Sequence, residues 1–311
     1  MSGFARFLRA AGLFASLVFA IAPAGCLPVP PECPSADVVC VGFVTDRNGL
    51  EDYGLNEQAW QILEPLRQDG VVVERIESID SYDYEKNVAY FADRRYDLIF
   101  TCGYDLVETT LLMAEKYPDV SFVMLGQAPE EKKSPSNLAG VIFPAEQAGY
   151  LIGTLMARFS ETGIVGAVFA NPEIPTVGAY ARGFEAGAQG LEVHIASYQE
   201  GRFAASLSDS EWGEAQAQSL ESLGADVLFA YGGNTGISAL KQARGRVIGV
   251  EMDFARRYPS MDNRLVASLV FDFSILKEIV RAGRISQPIY EGGYKILWGD
   301  VPVPGALDGE E

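Results

Sequence analysis

Histidine is nearly missing from this chain: His194 stands alone among 311 residues. It falls inside Glu192 to Tyr198, a stretch that reads as a strand. A single strand histidine is more often structural than a base or a metal ligand, and no His/Cys cluster has zinc spacing. Neither a Gly-x-Ser-x-Gly elbow nor a P-loop occurs. Basic residues are also short, 24 Lys and Arg against 42 Asp and Glu, for a formal net charge of -18. So acidic a chain is repelled by nucleic acid and anionic lipid, whose binding relies on Lys and Arg neutralising phosphates. No nucleic-acid partner is expected, but a small ligand in a locally tuned pocket is not excluded.

Cysteine is scarce too, with four in all. Export permits disulfides, and Cys33 and Cys40 are the closest pair if Cys26 is set aside. One thiol is then left over. Cys40 and Cys102 sit in apolar strand contexts, so buried free thiols are an equally good reading. Both stay open.

The N-terminus carries a targeting segment. Arg6 and Arg9 give a basic start, Ala10 to Ala22 an apolar stretch, and Pro23-Ala24-Gly25-Cys26 small residues before a cysteine. The stretch is short for a membrane span and has signal-peptide flanks. Residues 1–25 read as a signal peptide. The ending resembles a bacterial lipobox, which implies that Cys26 becomes a lipidated N-terminus, a lipid anchor. Pro23 is unusual at the first lipobox position and leaves open cleavage by an ordinary signal peptidase. Residues 26–36, with four prolines in 27–36, read as a semi-rigid tether.

What the chain has in quantity is strand–helix alternation. Val41 to Val44 is an apolar run with the length of a buried strand. A polar turn follows, then a helix from near Leu55, with Leu55, Ala59, Ile62 and Leu66 on one face. Pro65 should kink or end that helix. Strands at 71–76, 97–101 and 120–125 alternate with helices at 81–91 and 105–117. After a loop at 134–140 comes a strand at 141–143 that crosses to a second series. There, strands at 164–170, 192–198, 226–230 and 247–250 alternate with helices at 146–159, 178–189, 211–223 and 237–244. Residues 265–271 cross back, 274–282 is a helix, 290–298 a last strand, and the tail from Pro302 is loose. Such alternation argues for parallel sheets with helices on both faces, and two successive series argue for two similar lobes.

In parallel sheets, ligands bind at the carboxyl ends of strands, where helix N-termini aim unpaired N–H groups. Asp46, Asp52, Tyr53 and Asn56 therefore read as one wall of a cleft. Gly103 and Gly232-Gly233 follow strands and precede helices, where glycine lets a ligand approach. Aromatics collect near the same ends, at Tyr53, Tyr104, Tyr198, Phe203 and Tyr231. A flat ligand stacked on one gains about 1–3 kcal/mol per contact, although Tyr104 and Tyr231 serve equally well as core. Carboxylate neighbours, Asp46 with Glu51 and Asp52 and Glu251 with Asp253, read as solvated charges rather than an acid–base pair. Gly232, Gly233 and Gly236 form only part of a dinucleotide fingerprint. No catalytic residue, metal or cofactor is expected.

Six stretches in order, EDYGLNEQAW (51–60), AEKYPDVSF (114–122), EQAGYLIGTLM (146–156), GFEAGA (183–188), GADVLFAYGGNTG (224–236) and VIGVEMD (247–253), resemble the basic membrane protein (BMP) family. That family comprises substrate-binding lipoproteins of ABC transporters, with purine-nucleoside binders among them. The resemblance implies an α/β type I periplasmic-binding fold, two doubly wound lobes joined by a three-strand hinge with a small, nucleoside-like ligand between them. It implies an extracytoplasmic place and a membrane permease as partner. The lobes are expected at 37–141 with 268–286 and at 142–267 with 287–311. By matched position, Asn56 contacts a base, Phe203 stacks on it, Gly232 and Gly233 line the second wall, and Asp253 faces the sugar. Three positions depart from the family pattern: Leu55 replaces an aromatic, Gly126 an acid and Phe271 a lysine, which points to a changed ligand. A sensor receptor of the same fold, or an exported dinucleotide-using enzyme, are the other readings.

Overall fold

The computed structural model describes residues 33, 37–130, 133–199 and 203–302. The segment expected to be a signal peptide, Cys26, the expected tether apart from Cys33, and the tail beyond residue 302 lie outside the described residues. All described residues belong to one compact unit.

The first series builds β1 (Cys40–Thr45), α1 (Leu55–Leu63), β2 (Val72–Glu77), α2 (Tyr84–Ala92), β3 (Leu98–Cys102), α3 (Val107–Lys116), β4 (Ser121–Leu125) and β5 (Leu138–Ile142). Every residue of β1 and β3 is buried, as expected for parallel strands covered on both faces. α1 stops two residues before Pro65 and tightens into a 3-10 turn, Glu64–Asp69. Proline has no N–H for the α-helical ladder, and the shorter turn tolerates it.

The second series builds α4 (Ala145–Phe159), β6 (Ile164–Phe169), α5 (Pro175–Gly187), β7 (Glu192–Ser197), α6 (Phe203–Ser206), α7 (Ser210–Ser222), β8 (Val227–Tyr231), α8 (Gly233–Gln242), β9 (Arg246–Val250), α9 (Phe254–Arg257) and β10 (Leu265–Asp272). The chain then gives α10 (Ile275–Ala282), β11 (Ile289–Glu291) and β12 (Gly293–Trp298). One sheet has the order β11-β5-β4-β3-β1-β2 and the other β12-β10-β9-β8-β6-β7. All pairings are parallel except β10 with β12. Each sheet is covered by apolar clusters on both faces. This is a two-lobe α/β periplasmic-binding architecture.

The chain passes between lobes three times: after β5, after β10, and at Gly292 between β11 and β12. β5 and β11 lie in the first sheet and β10 in the second. Residues 268–272 therefore sit with the second lobe and 289–291 with the first, which differs from the lobe boundaries read from sequence. The apolar stretch 290–298 reads as one strand, yet its halves pair in different sheets. The short helices α6 and α9 carry too few residues to show a period. α8 starts at Gly233, earlier than read, because the turn after β8 is made by Gly232 alone.

Cys33 and Cys40 are joined in a disulfide, and Cys102 is a buried free thiol. Burial, then the nearby charges of Asp52 and Asp46, push that thiol well above its ordinary pKa.

Candidate functional site

The sequence-derived wall folds into a self-contained network. Asp52 accepts the backbone N–H groups of Gly54, Asn56 and Glu57 at 2.9, 2.9 and 3.1 Å, and so satisfies open N–H groups at the start of α1, whose N-cap position is Gly54. Asp46, almost buried, accepts from the Asn48 backbone and side chain at 3.0 and 2.9 Å. Asn56 is 1% exposed. Its Nδ2 donates to Asp46 at 2.9 Å and to Asp52 at 3.0 Å, while its Oδ1 is buried without a partner among the described residues. Gly103 completes the cluster at φ 104°, where a Cβ would stand 2.5 Å from Asp46 Oδ2. The structure thus brings Asp46, Asp52, Asn56 and Gly103 together, with both acids already engaged.

Tyr53 and Asp253 meet elsewhere. Tyr53, at φ 55°, accepts the Asp253 N–H on its carbonyl at 2.9 Å. Its ring lies 5.0 and 5.3 Å from the guanidinium groups of Arg256 and Arg257. Asp253 caps α9, accepting from the Arg256 backbone at 3.1 Å. Both border a cavity of 160 Å³ on one flank of the lobe junction. Tyr104 and Phe203 join neither group; they are 76% and 54% exposed.

The main inter-lobe cavity, 480 Å³, lies beyond these residues. The first lobe contributes Leu55, Gly126 and Gln127, and the second Thr176, Ala179, Tyr231 and Glu251. Its floor is Ile142, Phe143, Phe271 and Tyr294, at the crossings. The three positions that depart from the family pattern, Leu55, Gly126 and Phe271, all line it. A smaller cavity of 120 Å³ continues past Tyr231 and Glu251 to Gly232 and Gly233. Gly232 holds φ 124°, and a Cβ there would come within 2.2 Å of the Ala170 Cβ, so the close turn after β8 requires glycine.

Glu251 is the group that sequence reasoning set aside as a solvated charge. It follows β9 directly, in a left-handed backbone at φ 68°, uncommon for a residue with a side chain. Its Oε1 accepts the Tyr180 hydroxyl at 3.1 Å and the Tyr231 hydroxyl at 2.9 Å. The Tyr180 and Tyr294 hydroxyls lie 3.1 Å apart. Burial raises the Glu251 carboxyl above its ordinary value, and the two tyrosine hydrogen bonds offset part of the rise. Burial, then the Glu251 charge, raises the Tyr180 and Tyr231 hydroxyls well above theirs. Tyr180 and Tyr294 are 114 residues apart, so no local pattern could have joined them to Glu251.

Gln58 ties the lobes beside the cavity. Its Nε2 donates to the carbonyls of Tyr53 at 3.2 Å and Glu251 at 3.0 Å, and its Oε1 accepts the Phe271 N–H at 2.7 Å. Glu57, next to it, pairs with Arg256 at 2.9 Å. The signal for both was EDYGLNEQAW, where sequence reasoning chose Asp52, Tyr53 and Asn56 and passed over Glu57 and Gln58.

A chain of two lobes with a polar-aromatic cavity between them has counterparts among known proteins. It is 24% identical over 294 residues to "Basic membrane protein A1" of Borrelia garinii subsp. bavariensis, covering 92% of this chain and 83% of that one. It is 24% identical over 260 residues to "ABC transporter nucleoside-binding protein BmpA" of Lactococcus lactis subsp. cremoris, covering 76% and 72%. Among solved structures it resembles an ABC transporter solute-binding protein of Conexibacter woesei, with TM-score 0.67, 26% identity, and coverage of 86% and 92%. The family model described as ABC transporter substrate-binding protein PnrA-like matches residues 39–299, and the chain belongs to that family of substrate-binding proteins.

Proposed function

We propose that this protein is the solute-capturing component of an ABC importer, working outside the cytoplasm on a lipid anchor at Cys26, and that its ligand is nucleoside-like. The observation that carries the ligand reading is the 480 Å³ cavity bounded by both lobes. Its size and its rings, Phe143, Phe271, Tyr231 and Tyr294, suit a flat molecule. The printed name of the Lactococcus relative, a nucleoside-binding protein, supports the same ligand class. Asn56, next to the cavity-lining Leu55, carries a buried acceptor without a partner among the described residues, Gly232 and Gly233 offer close approach, and Phe203 an exposed ring. Asp46 and Asp52 hold Asn56 in place, with Gly103 packed against Asp46, and Tyr53 and Asp253 border the neighbouring cavity on the flank of the lobe junction.

Closing the lobes buries the ligand from both sides, so its binding energy shifts an open–closed equilibrium, and a membrane permease reads the closed form. The family is one of substrate-binding proteins, which supports capture over a dinucleotide-using enzyme. Calorimetry against a panel of purine and pyrimidine nucleosides tests the ligand. Binding of at least one is expected, and failure of all would remove the nucleoside assignment. Mass spectrometry of the mature protein tests the anchor: a diacylglyceryl mass on Cys26 is expected, and an unmodified Cys26 would refute it.

A further inference from the structure

Among the described residues, Glu251 is the one charged side chain lining the main cavity, and no Lys, Arg or His joins it there. Among the described residues its only side-chain partners are the uncharged hydroxyls of Tyr180 and Tyr231, both on Oε1. Oε2 has no partner among them. A half-buried carboxylate with no cation beside it is left to the cavity's water for its remaining hydrogen bonds. The same cavity is lined by the rings of Phe143, Phe271, Tyr231 and Tyr294. A carboxylate among aromatic faces is the side-chain set that holds an organic cation, through charge-assisted hydrogen bonds and the ring quadrupoles. An anionic or phosphorylated ligand would meet an uncompensated negative charge instead. A neutral ligand would displace water from Glu251 without replacing it by charge.

We propose that the inter-lobe cavity selects ligands carrying a positively charged nitrogen on or beside a flat ring, and that Glu251 sets this preference. The proposal rests on the reading of this cavity as the ligand site, and it narrows the ligand class rather than repeating it. Tyr180 and Tyr231 are positioning residues: they fix Oε1 and leave Oε2 to the ligand.

The test is calorimetry on the wild-type protein at neutral pH with two matched pairs. One is 1-methyladenosine, a cation, against adenosine. The other is tryptamine, a cation, against tryptophol, its neutral alcohol counterpart. The expected result is that the cation of at least one pair binds about tenfold or more tightly than its neutral partner. Glu251→Gln should abolish that difference while keeping the wild-type melting temperature or raising it, since its amide oxygen still accepts from both tyrosines. If tryptamine binds, tryptophol does not and the whole nucleoside panel fails, the charge preference stands and the nucleoside reading falls. If adenosine binds as well as 1-methyladenosine and tryptamine no better than tryptophol, the charge preference is overturned and the nucleoside reading survives. No binding by either cation overturns the proposal, as does a cation preference that persists in Glu251→Gln. The wild-type pairs decide the charge preference even where that variant fails to fold.

Discussion

Glu251 shows how one residue connects backbone, burial and chemistry. Its left-handed φ follows β9 directly, and its carboxylate lies among Tyr180, Tyr231 and the cavity. Its carboxyl is raised above the ordinary value, mainly by burial. The folded protein therefore holds a proton there that the unfolded chain has already released. Between the ordinary glutamate value and the raised one, the native state binds more protons, so stability falls as pH rises through that window and levels off above it. Glu251→Gln should remove this fall and match or exceed the wild-type melting temperature above the window. Melting temperature against pH for both proteins checks it; parallel curves would mean that the carboxylate is not desolvated in the folded state. Sequence showed Glu251 only as an acid beside Asp253. What distinguishes the two is tertiary: Asp253 turns to cap α9, whereas Glu251 meets hydroxyls carried by β8 and α5.

At the scale of the element, α1 is the informative piece. Its start depends on Asp52, which takes up three of the N–H groups a helix end leaves unpaired. Asp52→Ala should cost about 0.5–2 kcal/mol, read as a lower denaturant midpoint with unchanged m-value. An unchanged midpoint would mean that water replaces the cap without loss. The strand–helix order of both lobes was legible because strands covered on both faces are unbroken apolar runs and their helices carry one apolar stripe. The break at Gly292 was not legible, since β11 and β12 are short apolar pieces in series and nothing local says that they pair in different sheets. At the site, the family-departing positions Leu55, Gly126 and Phe271 were legible as unusual, and they line the cavity. Gln58 and Tyr294 were missed because their partners lie far along the chain.

At the scale of the whole molecule, the lobes are joined at the three crossings and again at Gln58. Gln58 gives two hydrogen bonds across the lobe junction, to Glu251 and from Phe271, each worth about 0.5–1.5 kcal/mol net. The Glu57–Arg256 pair adds little, because Arg256 is about half exposed. Gln58→Ala should therefore favour separated lobes, seen as a larger radius of gyration by solution scattering without ligand. Ligand binding should weaken by about tenfold, since part of its energy must restore the joined state. Superimposable scattering curves for the two proteins would show that Gln58 does not govern the opening.

The crossings hold one more consequence. Phe143, from the first crossing, packs 4.4 Å from Phe271 and 4.8 Å from Phe273, at the second. At the third, Gly292 lies so close under Phe143 that a Cβ would stand 2.3 Å from its ring. If the cavity holds the solute as proposed, Phe143 and Phe271 are at once the bed on which it rests and the bearing on which the halves swivel. A guest that reaches this depth presses on the fulcrum directly, without any relay through the lobes. One too small to touch it would occupy space and leave the jaws ajar.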